Sequence, residues 1–188
     1  MTQVAPKIRN GVNIDQMFGT LDLIKAQPEL ASFVWRASNR WLGGSHNRTT
    51  IKTFFAAGAD DTSREKAFTV DAGEPNILLG HDEGPNPAEF LLHALAACLT
   101  TSVVYVASAR GVILDEVESS VEGTMDVQGA LGLNKEIRNG FSAIRVSFSV
   151  RADAPREKIQ EVLERAYARS AVFDSINAGV PVTVSLAA

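Results

Sequence analysis

From Phe90 to Ala109 the chain runs for 20 residues without an Asp, Glu, Lys or Arg. That is about the length of a membrane span. Its composition points elsewhere. The run is rich in Ala and carries His93, Thr100, Thr101, Ser102 and Ser108, whereas Leu, Ile, Phe and Val would dominate a lone span. A helix apolar nearly all round is the buried central helix of a fold large enough to enclose it. The 188 residues, 45% apolar and 21% charged, suffice for one soluble domain of that kind, with room for a small appendage. The boundaries are legible. Asn86 is placed to cap the helix and Pro87 to be its first residue, where a missing N–H costs nothing. The helix is expected to reach about Arg110, with Gly111 as its C-terminal cap.

Hydrophobic periodicity predicts the other elements. Asn13 with Gln16 resembles a capping box, so a helix is expected from about Ile14 to Lys25, ended or bent by Pro28. Phe33, Trp35, Ala37 and Trp41 alternate with Val34, Arg36, Ser38 and Arg40 and predict a half-buried strand. Gly43-Gly44 marks a turn. Thr49, Ile51, Thr53 and Phe55 predict a second strand, "AAGADDTSRE" a loop, and Phe68, Val70 and Ala72 a third strand. After the central helix, Val117, Val121, Met125 and Val127 share one face and Glu116, Glu118, Glu122 and Asp126 the other. Ile144, Val146, Phe148 and Val150 repeat this, with Arg145 and Arg151 outward. Acidic and basic outer faces suit neighbouring strands. Asp153 and Pro155 open an amphipathic helix carrying Ile159, Val162, Leu163 and Ala166. Val180, Val182, Val184 and Leu186 predict a closing strand. Strands that come in adjacent groups indicate an antiparallel sheet and an α+β class. Residues 1–30 are expected to form an N-terminal helical segment and 31–188 the main domain.

Cys98 is the only cysteine. It excludes an intramolecular disulfide and fits a reducing compartment. The N-terminus "MTQVAPKIRNGVNID" lacks the apolar core of a secretion signal, so a cytoplasmic protein is expected. A thiol reacts as its thiolate. Cys98 lies too deep in its helix for the dipole to help, because that effect is confined to the first turn. Its neighbours at three and four positions are Ala94, Leu95, Thr101 and Ser102. Only the two hydroxyls offer a weak hydrogen bond. His93 is about 140° round the helix, and Glu89 roughly 13.5 Å along the axis. Spacing alone therefore favours a small core residue over a reagent.

Other chemistries find no support. The net charge of −4 advertises no basic surface for nucleic acid. His46, His81 and His93 are scattered, and no metal site is expected. No glycine-rich nucleotide loop and no Gly-x-Ser-x-Gly occur, so no cofactor is expected. Ser170 reads as a cap near the end of the last helix. Phe173 reads as core packing; only a family resemblance would make it the wall of an apolar pocket.

Three stretches nonetheless carry a resemblance. "GPNPAEFLLHALAACLTT" resembles the OsmC/Ohr family signature, in which an Asn-Pro opens a long central helix bearing the first of two functional cysteines. "ARSAVFDSINAGVPVTV" is similar to the family's C-terminal segment, and "NRWLGGSHNRTTI" to the N-terminal hairpin of an OsmC-like subgroup. The resemblance covers most of the chain from about Phe33. It implies an intertwined homodimer with antiparallel sheets packed on long central helices, and two sites at the dimer interface. It implies attack of a cysteine thiolate on an organic hydroperoxide, aided by an arginine and a glutamate. Cys98 matches the peroxidatic cysteine. Glu89 lies next to the family glutamate, which Ohr-type sequences place one residue earlier, at Ala88 here. Arg48 is the candidate arginine, with Arg40 behind it. Ser170 stands where the second cysteine is found, so this chain belongs with a subgroup lacking it. The implied function is a one-cysteine, thiol-dependent hydroperoxide reductase resolved by an external thiol reductant. The alternative is a non-enzymatic protein that binds a small apolar molecule at the interface, with Cys98 structural.

Overall fold

The computed structural model describes residues 6–186. Asn10 and Gly11 adopt positive φ, 50° and 77°, and fold the chain back as a small hairpin of β1 (Ile8–Arg9) and β2 (Val12–Asn13). This hairpin has no periodic signal, because two-residue strands are too short to show one. Helix α1 (Ile14–Ala26) follows directly. The Asn13 side chain accepts the Gln16 N–H at 3.0 Å, as the capping pattern predicts. Pro28 opens a single 3-10 turn, Pro28–Ala31.

The strand expected over Phe33–Trp41 is two strands, β3 (Val34–Trp35) and β4 (Ser38–Gly43), in different sheets. Its partner is likewise divided into β5 (His46–Ile51) and β6 (Phe54–Ala56). The register gives the reason. Trp35 pairs with Phe54 and Ser38 with Thr50, so residues 36–37 face residues 51–53. The unequal count interrupts the ladder as a bulge does. The loop expected after Phe55 contains a tight turn at Ala57-Gly58 and a further strand, β7 (Ala59–Asp61). With β8 (Phe68–Ala72) the chain completes two antiparallel three-stranded sheets, ordered β3-β6-β7 and β4-β5-β8. The expectation that Phe33, Trp35 and Trp41 are half-buried fails. Phe33, Trp35 and Trp41 are all exposed, Trp41 by 72%.

Helix α2 (Pro87–Ala109) starts and stops where the sequence predicts. Asn86 accepts the Ala88 N–H at 2.7 Å, and Gly111 has φ +82°, a conformation that suits a residue without a Cβ. β9 (Leu114–Thr124) ends before the expected Met125 and Val127, because Asp126 caps a short helix, α3 (Val127–Ala130), by accepting the Gln128 N–H at 3.0 Å. β10 (Ala143–Ala152) pairs antiparallel with β9. The facing charges meet as expected, Arg151 with Glu116 at 2.5 Å and Arg145 with Glu122 at 3.8 Å. Two helices follow, α4 (Arg156–Tyr167) and α5 (Ala171–Asn177). The closing strand is a correction: residues 180–186 form no ladder, and Val180, Val182, Val184 and Leu186 are exposed. Alternation supplies a face, but a strand also needs a neighbouring edge to accept its hydrogen bonds.

The chain divides into two compact units. The first holds residues 13–91, the second residues 8–12 and 92 onward, so the division falls within α2. In the second unit Val103, Val106, Ala107, Val112, Val162 and Ala166 form a core, flanked by Val117, Phe148 and Leu163. α2 has the length and apolarity of a membrane span, yet Leu95, Leu99, Val103 and Val106 are buried in protein. Among the described residues of the first unit, only Ile14 and Ala72 are buried hydrophobics.

Candidate functional site

The second unit brings Cys98 to a partner that no spacing within α2 supplies. Cys98 is half-buried. Its sulfur accepts a hydrogen bond from the Ser170 hydroxyl, Oγ to Sγ 3.1 Å, across 72 residues of sequence. The donor is therefore not Thr101 or Ser102 of the same helix. Ser170 is 2% exposed. It is indeed a cap, though of α5, which follows it, rather than of the helix before it. Its Oγ accepts the Phe173 N–H at 3.2 Å, and its own N–H donates to the Tyr167 carbonyl at 3.2 Å. Its hydroxyl oxygen and its backbone N–H are thus held by the α4–α5 corner.

An apolar groove of about 390 Å³, lined by neither Cys98 nor Ser170, lies close by. Leu99, next in sequence to Cys98, lines it, as does Phe173, which donates to Ser170. Val146, Phe148, Leu163 and Tyr167 form other parts of the wall. Phe173 packs on Tyr167 with ring centroids 5.6 Å apart. The sequence left Phe173 between core and pocket, and it lines the groove. Tyr167 carried no sequence signal, since a tyrosine at a helix end reads as surface.

Arg48 and Glu89 belong to the first unit, and each is engaged there. Arg48 on β5 forms a forked pair with Asp71 on β8, Nε to Oδ1 2.7 Å and Nη2 to Oδ2 3.0 Å. These two bonds, assisted by charge, hold the Asp71 carboxyl below the usual carboxylate range and raise the Arg48 guanidinium above its ordinary value. Arg40 on β4 stands opposite Arg48 in the register. His46 Nε2 lies 3.3 Å from Asp71 Oδ1 but is not aligned for a hydrogen bond, which leaves that buried nitrogen without a partner. Glu89 accepts the Asn86 backbone N–H at 2.8 Å. With the Asn86 side chain bonded to Ala88, this is a capping box at the start of α2. Among the described residues no group of His, Cys, Asp and Glu is arranged to hold a metal.

A thiol with a fixed donor beside an apolar groove can react with a substrate that is polar at its reacting atom and apolar beyond it. It can equally sit beside an apolar ligand without reacting. Comparison with known proteins bears on this choice. Residues 80–185 match the family model for OsmC-like proteins. Among solved structures the chain is similar to an OsmC-like protein from Mycoplasma pneumoniae, with a TM-score of 0.57 and 16% identity over 76% of this chain and 86% of that one. It is also similar to an organic hydroperoxide resistance protein OsmC from Legionella pneumophila, with a TM-score of 0.51 and 16% identity over 77% of this chain and 91% of that one. At such identities the likeness shows the α+β fold with its antiparallel sheets. No curated protein matches the chain.

Proposed function

Because this chain belongs to the OsmC-like family, we propose that it reduces organic hydroperoxides through one cysteine, Cys98, with an external thiol as reductant. The observation that carries this reading is the Ser170–Cys98 hydrogen bond beside the apolar groove. The hydroperoxide resistance named for the Legionella pneumophila relative supports it. In the first step the thiolate attacks the terminal peroxide oxygen. An S–O bond forms, the O–O bond breaks, and the departing alkoxide takes a proton to become the alcohol. Sulfur loses two electrons and becomes a sulfenic acid. The chain has no second thiol, so a small thiol or dithiol attacks that sulfur, expels water and leaves a mixed disulfide. A second thiol equivalent frees Cys98. The groove favours an organic hydroperoxide over hydrogen peroxide, because only the former has apolar surface to bury.

Arg48 is the proposed stabiliser of the thiolate and Glu89 the proposed orienting carboxylate, acting in a homodimer with its sites at the interface. The surface supports a dimer. The first unit buries few apolar residues, while Phe33, Trp35, Trp41 and Phe68 are exposed there. Exposed apolar area on that scale marks an interaction surface.

The test is intact-mass analysis after brief exposure to equimolar cumene hydroperoxide, and separately to hydrogen peroxide, with a sulfenic-acid trap present. One adduct is expected, on Cys98, forming faster with the organic peroxide. Cys98→Ser is expected to abolish both the adduct and peroxide consumption. A Cys98→Ser protein as active as the unmodified one would sink the proposal. The groove also favours a second reading, binding of a small apolar molecule with Cys98 as packing. An inert thiol in a folded protein is the result that selects it.

A further inference from the structure

A serine hydroxyl has one proton and two lone pairs. In Ser170 a lone pair receives the Phe173 N–H at 3.2 Å, which fixes the oxygen at the start of α5. The proton is directed to Cys98 Sγ, 3.1 Å away. At 2% exposure, bulk water does not compete for it. We propose that Ser170 is a positioning residue for Cys98, a pinned donor that orients the sulfur for attack. This rests on the reading that Cys98 is the reacting thiol. A hydrogen bond to an ion is roughly twice as strong as one between neutral groups, so the contact strengthens as the thiol ionises. The Ser170 proton stays on its oxygen throughout. The sulfur gives two electrons to the terminal peroxide oxygen, and the alkoxide draws its proton from solvent. With an oxygen rather than a sulfur at this position, the oxidised Cys98 has a donor beside it and no thiol to condense with. Its sulfenic acid persists until an external thiol arrives.

The pinning makes the proposal testable apart from the fold. Ser170→Gly removes the hydroxyl while costing little as a helix cap, since glycine is tolerated there. Ser170→Thr retains a hydroxyl. The readouts are the pH profile for alkylation of Cys98 by iodoacetamide and the rate of its trapping after cumene hydroperoxide, with thermal unfolding followed in parallel. Ser170→Gly should change the alkylation profile and slow alkylation near neutrality by about tenfold, the loss expected for a bond to a charged group. Ser170→Thr should restore most of the rate. Ser170→Cys places a thiol against Cys98. After peroxide it should lose about 2 Da as a disulfide and give no trapped adduct. An unchanged profile in Ser170→Gly would overturn the proposal. So would equal slowing in Ser170→Thr and Ser170→Gly, which would mean that the position is merely structural. If the unmodified protein resists peroxide while Ser170→Gly still shifts the alkylation profile, the peroxidase reading fails and the positioning role stands.

Discussion

Asp71 shows how a single carboxylate can be fully engaged on an exposed sheet. Two bonds from Arg48 hold its pKa down. The sign of the pH dependence follows. A depressed carboxyl stabilises the fold above its unfolded value of about 3.9, and that contribution is lost as pH falls through the lower folded value. Asp71→Asn is therefore expected to lower Tm at pH 7, with the difference shrinking as pH falls below the unfolded value and through the lower folded one. A difference that persists unchanged at pH 2.5 would mean that packing, not ionisation, accounts for it. At this scale the sequence was informative about identity and silent about company. Cys98, Ser170 and Phe173 each drew attention as residues. That they meet was not legible, because Cys98 and Ser170 are 72 residues apart and no local periodicity spans such a gap. Arg48 and Glu89 attracted a role by resemblance alone, and within the chain each bonds to a near neighbour.

Elements were legible in proportion to their length. α1 and α2 carry caps and periodicity that act within a few residues, and their ends lie within about a residue of the expected ones. The long β9–β10 pair was equally clear in its alternation and in its charges. The short strands were not, since their breaks come from a mismatch between two chain segments that neither shows alone. The β1–β2 hairpin is the element with most consequence for its size. Asn10, at φ 50°, donates to Ser108 Oγ and to the Val112 carbonyl, both at 3.0 Å, and accepts the Leu114 N–H at 2.9 Å. Arg9 donates to the Ser108 carbonyl at 2.6 Å, which satisfies an acceptor in the last turn of α2. Ser108 is fully buried. Asn10→Ala leaves such groups without partners and sets alanine in a left-handed conformation. Urea unfolding is expected to show a loss of about 2–4 kcal/mol. A loss below about 0.5 kcal/mol, the range of neutral surface changes, would mean that the hairpin does not secure this end of the helix.

For the whole molecule the telling quantity is apolar surface left in contact with solvent. Trp41, Phe68 and Tyr105 are exposed, as is the alternating Val180–Leu186 segment. A chain of this size normally covers such groups. The proposed homodimer predicts sedimentation at about twice 20.2 kDa at micromolar concentration, and a monomer at that concentration would contradict it. Sequence periodicity reports which residues avoid water but not which surface covers them, so one chain's pattern reads the same whether its apolar face meets its own core or another molecule.

The sequence by itself determined the α+β class, the extent of the central helix, the charge-matched β9–β10 pair and the singularity of Cys98. The class, the helix and the cysteine depend on interactions within a few residues or on residue type alone, and the β9–β10 match on two complementary patterns each legible within its own strand. Only the tertiary structure decided that Ser170 donates to Cys98, that Phe173 and Tyr167 wall a groove beside them, and that Val180–Leu186 has no ladder partner among the described residues. Those facts depend on segments far apart in the chain arriving at one place, and the burial of α2 against β10 and α4 brings them there.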